Sequence, residues 1–130
     1  MNPIKKMQYA MLVYHHEPEF LALSPSERDR LRNECADWHD RLTTDGRSSG
    51  AMRLESTATA TTVRQADGKP VLTDGPFAET KEILAGFVLL ECRDLDEALA
   101  LTRTFPALRP GISLEVRPVM PNGTRRADAT

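Results

Sequence analysis

The sequence has no long apolar run and almost no charge excess, and each absence excludes a class of protein. No apolar stretch approaches the ~20 residues that a helix needs to cross a bilayer, so we expect no membrane association. With 17 basic and 19 acidic residues the net charge is −2, which argues against direct nucleic-acid binding through a broad basic face. The apolar run from Ala10 to Tyr14 is also too short for the core of a signal peptide.

The sequence is also poor in cysteine and in recognisable catalytic motifs. Its two cysteines, Cys35 and Cys92, have neither metal-ligand spacing nor the pattern of a disulfide framework, which favours a reducing, cytoplasmic location. There is no nucleophile elbow, phosphate-binding loop, dinucleotide fingerprint or zinc motif. We therefore expect no metal and no cofactor, and covalent catalysis has no support in the sequence.

What the sequence does contain is a series of strand and helix patterns over residues 7–120, which at this length predicts a single domain. Residues 1–6 are expected to be flexible, and residues 121–130, polar and without periodicity, to form a disordered tail. The predicted elements are strands at 8–14, 51–56, 58–64, 86–92 and 113–119, helices at 25–45 and 95–105, and a hairpin turn at Asp67-Gly68.

Both helices have a cap and an apolar stripe. Ser24, followed by Pro25 and Glu27, forms a capping box for the first helix, and Asp94 caps the second. The predicted inner stripe of the first helix is Leu31, Cys35, Trp38 and Leu42. That of the second helix is Leu95, Ala98, Leu99, Thr102 and Phe105.

This order of elements predicts an α+β fold of the ferredoxin-like type, βαββαβ with an extra central hairpin and both helices on one face of the sheet. The strands at 8–14 and 86–92 are nevertheless apolar on both faces; Phe87 and Leu89 point to one side, Val88 and Leu90 to the other. A second copy of the chain is the simplest cover for the other face. We therefore expect a homodimer with a small-molecule pocket in the cleft between its subunits.

The most unusual stretch is Thr73–Glu82, in which a turn is followed by a cluster of charges. Gly75 can adopt a positive φ, and Asp74 can hydrogen-bond the backbone of the following residues. One interpretation is a structural turn with a solvated charged flank. The other is a loop that carries Asp74, Glu79 and Lys81 to the rim of a pocket. The residue types leave both open.

The nine residues from Asp74 to Glu82 read Asp-Gly-Pro-Phe-Ala-Glu-Thr-Lys-Glu, and here the chain resembles the DGPFAETKE branch, or DGPF-domain branch, of the YCII-related family. The similarity extends from about Met7 to Met120 and includes the stretches 11–14, 94–98 and 115–119. The resemblance implies a ferredoxin-like domain that dimerises as an α/β-barrel, with a function that is not settled. Many such proteins are encoded beside extracytoplasmic-function sigma factors, which implies a protein partner in such a system.

In YCII-related proteins with a proposed catalytic His–Asp pair, the histidine lies in the first helix and the aspartate precedes a proline after the second. Counted back from the glycine that ends the first helix, the histidine position here is Cys35, with His39 one turn further on. The residue before Pro106 is Phe105. Both positions therefore depart from the family pattern.

Arg117 shares one face of the last strand with Glu115. If that face is covered, the arginine needs a partner, because an unpaired buried charge is costly. Either Asp74 or Glu79 completes a structural ion pair, or Arg117 binds the carboxylate or phenolate of a ligand. Both interpretations remain open.

Three kinds of function fit these observations. The first is a homodimer that binds a small molecule or acts as a regulatory accessory protein. The first alternative is a cofactor-independent enzyme that acts by acid–base chemistry on a small, for example aromatic, substrate. The second alternative is a protein partner in an extracytoplasmic-function sigma factor system. Whether the protein is an enzyme is therefore left open. The candidate catalytic residues are His15, His39 and Asp74, and the candidate ligand-binding residues are Asp74, Phe77, Glu79, Lys81 and Arg117.

Overall fold

The computed structural model describes residues 6–121 of the chain. The predictions for residues 1–6 and 121–130 fall, apart from Lys6 and Pro121, outside the described residues. The helices are α1 Glu17–Leu21, α2 Pro25–Thr44 and α3 Leu95–Thr102, and a single 3-10 turn lies at Thr57–Thr59. The strands are β1 Met7–His15, β2 Ser48–Arg53, β3 Thr61–Ala66, β4 Lys69–Asp74, β5 Ile83–Cys92 and β6 Ile112–Pro118.

Four strands form an antiparallel sheet in the order β2-β5-β1-β6, so β5 and β1 occupy its centre. The other two, β3 and β4, pair only with each other, as a two-stranded sheet inserted between β2 and β5 in the sequence. The α+β class is therefore confirmed, and the strand order is compatible with a ferredoxin-like fold carrying an extra hairpin.

The core lies on one face of the sheet, under α2 and α3. Met11 and Leu90, at the centre of the sheet, are fully buried, and burial of each side chain stabilises the fold by roughly 1.5–3 kcal/mol. The other buried apolar residues of this layer are Tyr9, Val88 and Cys92 from the sheet and Trp38, Leu42, Ala98 and Leu101 from the helices.

Helix α2 begins as the sequence predicts, because the Ser24 Oγ accepts a hydrogen bond from the Glu27 N–H at 3.1 Å. Near its other end Trp38 is buried against the segment that follows α3. The Trp38 Nε1–H donates to the Thr104 Oγ1 at 2.7 Å, and its ring meets Phe105 edge-on with centroids 5.3 Å apart. Trp38 therefore joins α2 to the polypeptide between α3 and β6.

Several predicted element boundaries are wrong by three residues, and one of them is the start of β5, which lies at Ile83 and not at residue 86. Helix α3 ends at Thr102, before Phe105, where the Thr102 and Thr104 hydroxyls donate to nearby backbone carbonyls at 2.8 and 2.6 Å. Leu95, expected in its inner stripe, is 46% exposed, and Leu101 is buried instead. Strand β2 begins three residues earlier than the predicted residue 51, and β3 begins three residues later than 58, because the 3-10 turn lies between them.

The face of the sheet opposite the helices has no cover within residues 6–121. It presents Ala10 and Leu12 of β1 and Leu89 of β5, which are only partly buried. The β3–β4 hairpin is almost wholly exposed, with Val63 at 61% and Leu72 at 70%. The two-sided apolar character predicted for the central strands is confirmed, and the second copy that would cover this face stays a prediction.

The Trp38–Thr104 hydrogen bond provides a test of the packing of α2. Thr104→Val removes the acceptor and leaves the buried indole N–H without a partner, which should lower the free energy of unfolding by about 1–3 kcal/mol. Thr104→Ser keeps the hydroxyl and serves as the matched control. Urea unfolding curves measure both variants, and equal stabilities for Val and Ser would show that this bond contributes nothing.

Candidate functional site

A cavity of about 340 Å³ opens between the N-terminal half of α2 and the sheet. Its floor is formed by Val13, Ala51 and Gly86, and α2 contributes Leu31 and Cys35. Those two residues of the predicted stripe are only half-buried, whereas Trp38 and Leu42 further along the helix pack against the sheet. The helix therefore contacts the sheet closely at one end and leaves ligand-sized space at the other.

Glycine is required in the floor of this cavity. A Cβ placed on Gly86 would lie 2.5 Å from the main-chain oxygen of Met52 in the neighbouring strand. Any side chain at this position would force β2 and β5 apart. The absence of a side chain at Gly86 thus keeps the strands paired and the floor open.

His15, at the end of β1, reaches this cavity and stacks on Phe20 with ring centroids 4.9 Å apart. Burial lowers the pKa of His15 below its ordinary value of 6.5. The nearby carboxylate of Glu17 opposes this shift, and the positive charges of Arg109 and Arg53 reinforce it. The imidazole is therefore neutral at pH 7, with one nitrogen available as donor and the other as acceptor.

His39 also lines the cavity, but its side chain is hydrogen-bonded to a neighbouring residue of the protein. Its Nε2 shares a hydrogen bond of 2.8 Å with the Oγ of buried Ser48. The same hydroxyl accepts from the Gly50 N–H and donates to the Gly50 carbonyl, both at 3.3 Å. His39 is thus fixed against the start of β2.

Cys35 and Phe105, the positions at which the family pattern has histidine and aspartate, both line the cavity. Burial raises the pKa of the Cys35 thiol, and a hydrogen bond with the backbone of Ala107 opposes that shift in part. At neutral pH Cys35 is a protonated thiol and a poor nucleophile. The two positions therefore border the same cavity, but the residues here do not form an acid–base pair.

Four arginines complete the lining of the cavity. Arg32 is paired with Asp29 at 3.3 Å on the surface of α2. Within residues 6–121, the guanidinium groups of Arg28, Arg53 and Arg109 form no ion pair or hydrogen bond. The Arg28 Nε is buried and has no hydrogen-bond partner in the described part of the chain.

The motif residues lie elsewhere in the single chain. Asp74, Glu79 and Lys81 are exposed, Phe77 is 73% exposed, and none of the four lines the cavity. The motif is tied to the β3–β4 hairpin through its backbone. The Gly75 N–H donates to the Ala60 carbonyl at 2.7 Å, the Thr62 hydroxyl donates to the Gly75 carbonyl at 2.7 Å, and Arg64 donates to the Phe77 carbonyl.

Arg117 lies on the face of the sheet opposite the helices and is exposed. Within the described chain its carboxylate neighbour is Glu115, with Nε and Oε1 3.7 Å apart, rather than Asp74 or Glu79. A role for Arg117 and the motif residues in a cleft between two subunits stays a prediction.

Sequence reasoning missed the arginines of the cavity. Arg28 is spaced three and seven residues from Leu31 and Cys35, so helical periodicity places it beside the inner stripe. Arg53 follows Ala51 on the same face of β2 and lies within the predicted strand 51–56, but nothing in that stretch indicates which of its faces borders a cavity. Arg109 lies in the connection between α3 and β6, where no periodic signal exists.

Two features are absent from residues 6–121. No helix there has both the length and the apolar character needed to cross a membrane. No three side chains of His, Cys, Asp or Glu in that range lie close enough together to hold a metal ion.

The fold and cavity define a small α+β domain with a ligand-sized pocket, and comparison with known proteins gives its family. The family model of the YCII-related domain matches residues 7–122. An uncharacterized protein of Rhizobium meliloti (strain 1021) is 39% identical over 114 residues, which cover 87% of this chain and 92% of that protein. The chain belongs to the YCII-related family, so the resemblance seen in the sequence is confirmed.

The environment of His15 predicts how it titrates. Its resonance in an NMR pH titration should move with a pKa below 6.5, and His15→Gln identifies the signal by removing it. Because unfolded chains bind this proton near pH 6.5 and the native state does not, the free energy of unfolding should fall as the pH drops from about 6.5 towards the native pKa. His15→Gln should reduce that fall. A pKa at or above 6.5 would contradict the assigned burial.

Proposed function

We propose that this protein is a small-molecule-binding homodimer of the YCII-related family and that its ligand site is the cavity between α2 and the sheet. The observation that carries the proposal is the cavity itself, about 340 Å³ in volume and largely apolar, with histidine and arginine groups at its edge. Sites for small ligands typically enclose about 300–1,000 Å³ and combine apolar walls with a few polar groups.

The positions of Cys35 and Phe105 support this assignment. Among relatives with a proposed His–Asp pair, these are the two positions that the resemblance assigns to the pair, and here both face the same cavity. The cavity therefore borders both positions of that proposed pair, with a thiol and an aromatic ring in place of the histidine and the aspartate. This replacement favours binding over inherited His–Asp chemistry.

The proposal of a homodimer, of the α/β-barrel type that the resemblance implies, is supported by the uncovered face of the sheet. Leu12 and Leu89 on that face, and Leu72 and Phe77 near the hairpin, leave apolar surface in water in a single chain. Monomeric proteins rarely expose contiguous apolar patches of more than a few hundred Å². A second copy would cover that surface and give Asp74, Phe77, Glu79, Lys81 and Arg117 a place at a subunit interface.

A second candidate function, a cofactor-independent acid–base enzyme, is favoured by His15. Its imidazole is neutral at pH 7 and faces the cavity, as a general base requires. NMR of each bound compound after incubation with the protein would reveal turnover. His15→Gln would then bind the compound and leave it unchanged, whereas equal product from the wild type and the variant would exclude this role.

A thermal-shift screen tests the binding site. Small acids, phenols and neutral aromatic compounds that occupy the cavity should stabilise the native state, by about 2.7 kcal/mol at a concentration of 100 Kd. Cys35→Phe fills the cavity and should remove the shift. Asn33→Phe adds the same ring on the exposed side of α2 and should keep it. An equal shift in the Cys35→Phe variant would mean that the compound binds elsewhere.

Sedimentation equilibrium tests the homodimer. The wild type should sediment with twice the mass of the chain, and Leu89→Glu, which places a charge on the uncovered face, should dissociate it. Leu95→Glu, at an exposed position on α3, is the matched control and should remain dimeric. A wild type that stays monomeric at high concentration would contradict the proposal.

A further inference from the structure

The lining of the cavity has a one-sided charge. Although the chain has more acidic than basic residues, 19 against 17, the described residues 6–121 place four arginines and no aspartate or glutamate in the lining of this cavity. One of the four, Arg32, pairs with Asp29 on the surface of α2, and Glu34 of the same helix pairs with Arg30 outside the cavity. Among residues 6–121, the charges of the other three arginines have no ion-pair partner.

Three of the arginines are not satisfied by the described protein. Arg28, Arg53 and Arg109 have no carboxylate within ion-pair distance, and the buried Arg28 Nε has no hydrogen-bond acceptor among residues 6–121. A buried charged donor without an acceptor is costly, so native structures usually supply one. All three side chains line the cavity; Arg28 and Arg109 are half-buried and Arg53 is exposed.

These arginines come from three separate elements and converge on the same space. Arg28 lies on α2, Arg53 at the end of β2, and Arg109 between α3 and β6. The charges of Arg53 and Arg109 both reach His15 and Cys35, where each acts to lower the pKa. Like charges held around one cavity repel each other, and an anion placed among them relieves that repulsion.

The rest of the lining fits an apolar body. It includes aromatic rings and branched aliphatic side chains, among them Phe20, Leu31, Trp38, Phe105 and Ile112. A ligand that matches both parts has a planar anionic group at one end and a hydrocarbon or aromatic group at the other. The guanidinium fork matches a carboxylate in geometry as well as in charge.

We propose that the cavity selects small apolar carboxylates, with the carboxylate held by Arg28, Arg53 and Arg109 and the apolar body enclosed between α2 and the sheet. This inference rests on the proposed function, since it names the class of ligand for the same cavity. The three arginines would bind the ligand directly, whereas the motif around Asp74 lies away from this cavity in a single chain.

Isothermal titration calorimetry with a matched pair of probes tests the selectivity. Phenylacetate and phenylacetamide have nearly the same shape, but only phenylacetate is charged at pH 7. Phenylacetate should bind at least about tenfold more tightly, a difference equivalent to 1.4 kcal/mol. Inorganic phosphate, an anion without an apolar body, should bind more weakly than phenylacetate.

Arginine variants locate the charge that is recognised. The double variant Arg53→Gln/Arg109→Gln should abolish the preference for phenylacetate over phenylacetamide, and Arg28→Gln should reduce it. Arg28→Lys keeps the charge and should retain part of the preference. Because this variant is conservative, it still tests the role of Arg28 if Arg28→Gln does not fold. Arg30→Gln, on the same helix but paired with Glu34 outside the cavity, should behave as the wild type.

Several outcomes would overturn the inference. Equal affinities for the amide and the carboxylate, or a preference that survives the double variant, would show that the arginines do not recognise charge. Phosphate binding as tightly as phenylacetate would show that the apolar walls contribute nothing. If neutral compounds bind in the cavity and phenylacetate does not bind at about 10 mM, the inference fails while the proposed function stands. If no compound binds at all, both fail.

Discussion

The position of Trp38 is the constraint on which the cavity depends. Its indole packs in the core, donates to Thr104 and meets Phe105, so α2 is held to the connection between α3 and β6. On the N-terminal side of this contact, α2 presents Leu31 and Cys35 to the cavity, and the sheet contributes Gly86. The same connection supplies Phe105, Ala107 and Arg109 to the lining. The packing of Trp38 thus sets the distance between α2 and the sheet, and it holds the connection between α3 and β6 against the cavity.

The two faces of the sheet have different roles in this account. The helix-covered face contains both the core and the cavity, with His15 and the arginines at its edge. The motif that is most conspicuous in the sequence lies beside the hairpin, with Asp74, Glu79 and Lys81 exposed and its backbone hydrogen-bonded to the hairpin. Within the described part of one chain it forms a turn away from the cavity, and its role in a ligand site stays a prediction.

Local signals predicted the fold well and the site poorly. Ser24 and Asp94 cap their helices because each side chain accepts from the backbone three residues on, and Asp67 and Gly68 form the hairpin turn with positive φ angles. The cavity has no such signal. It depends on the distance between α2 and the sheet, which long-range packing sets, and Arg109 joins it from an irregular segment. Of the predicted site residues, His15 and His39 face the cavity, because strand and helix periodicity positions them there.

The central claim is that ligands bind inside one chain, between α2 and the sheet. A crystal structure of the protein with a compound that stabilises it in solution tests this most directly. Our account predicts ligand density in contact with His15 and Cys35, with an anionic group directed towards Arg53 and Arg109. Density confined to the uncovered face of the sheet, beside Arg117 or the loop at Asp74, with the cavity left unchanged, would contradict it.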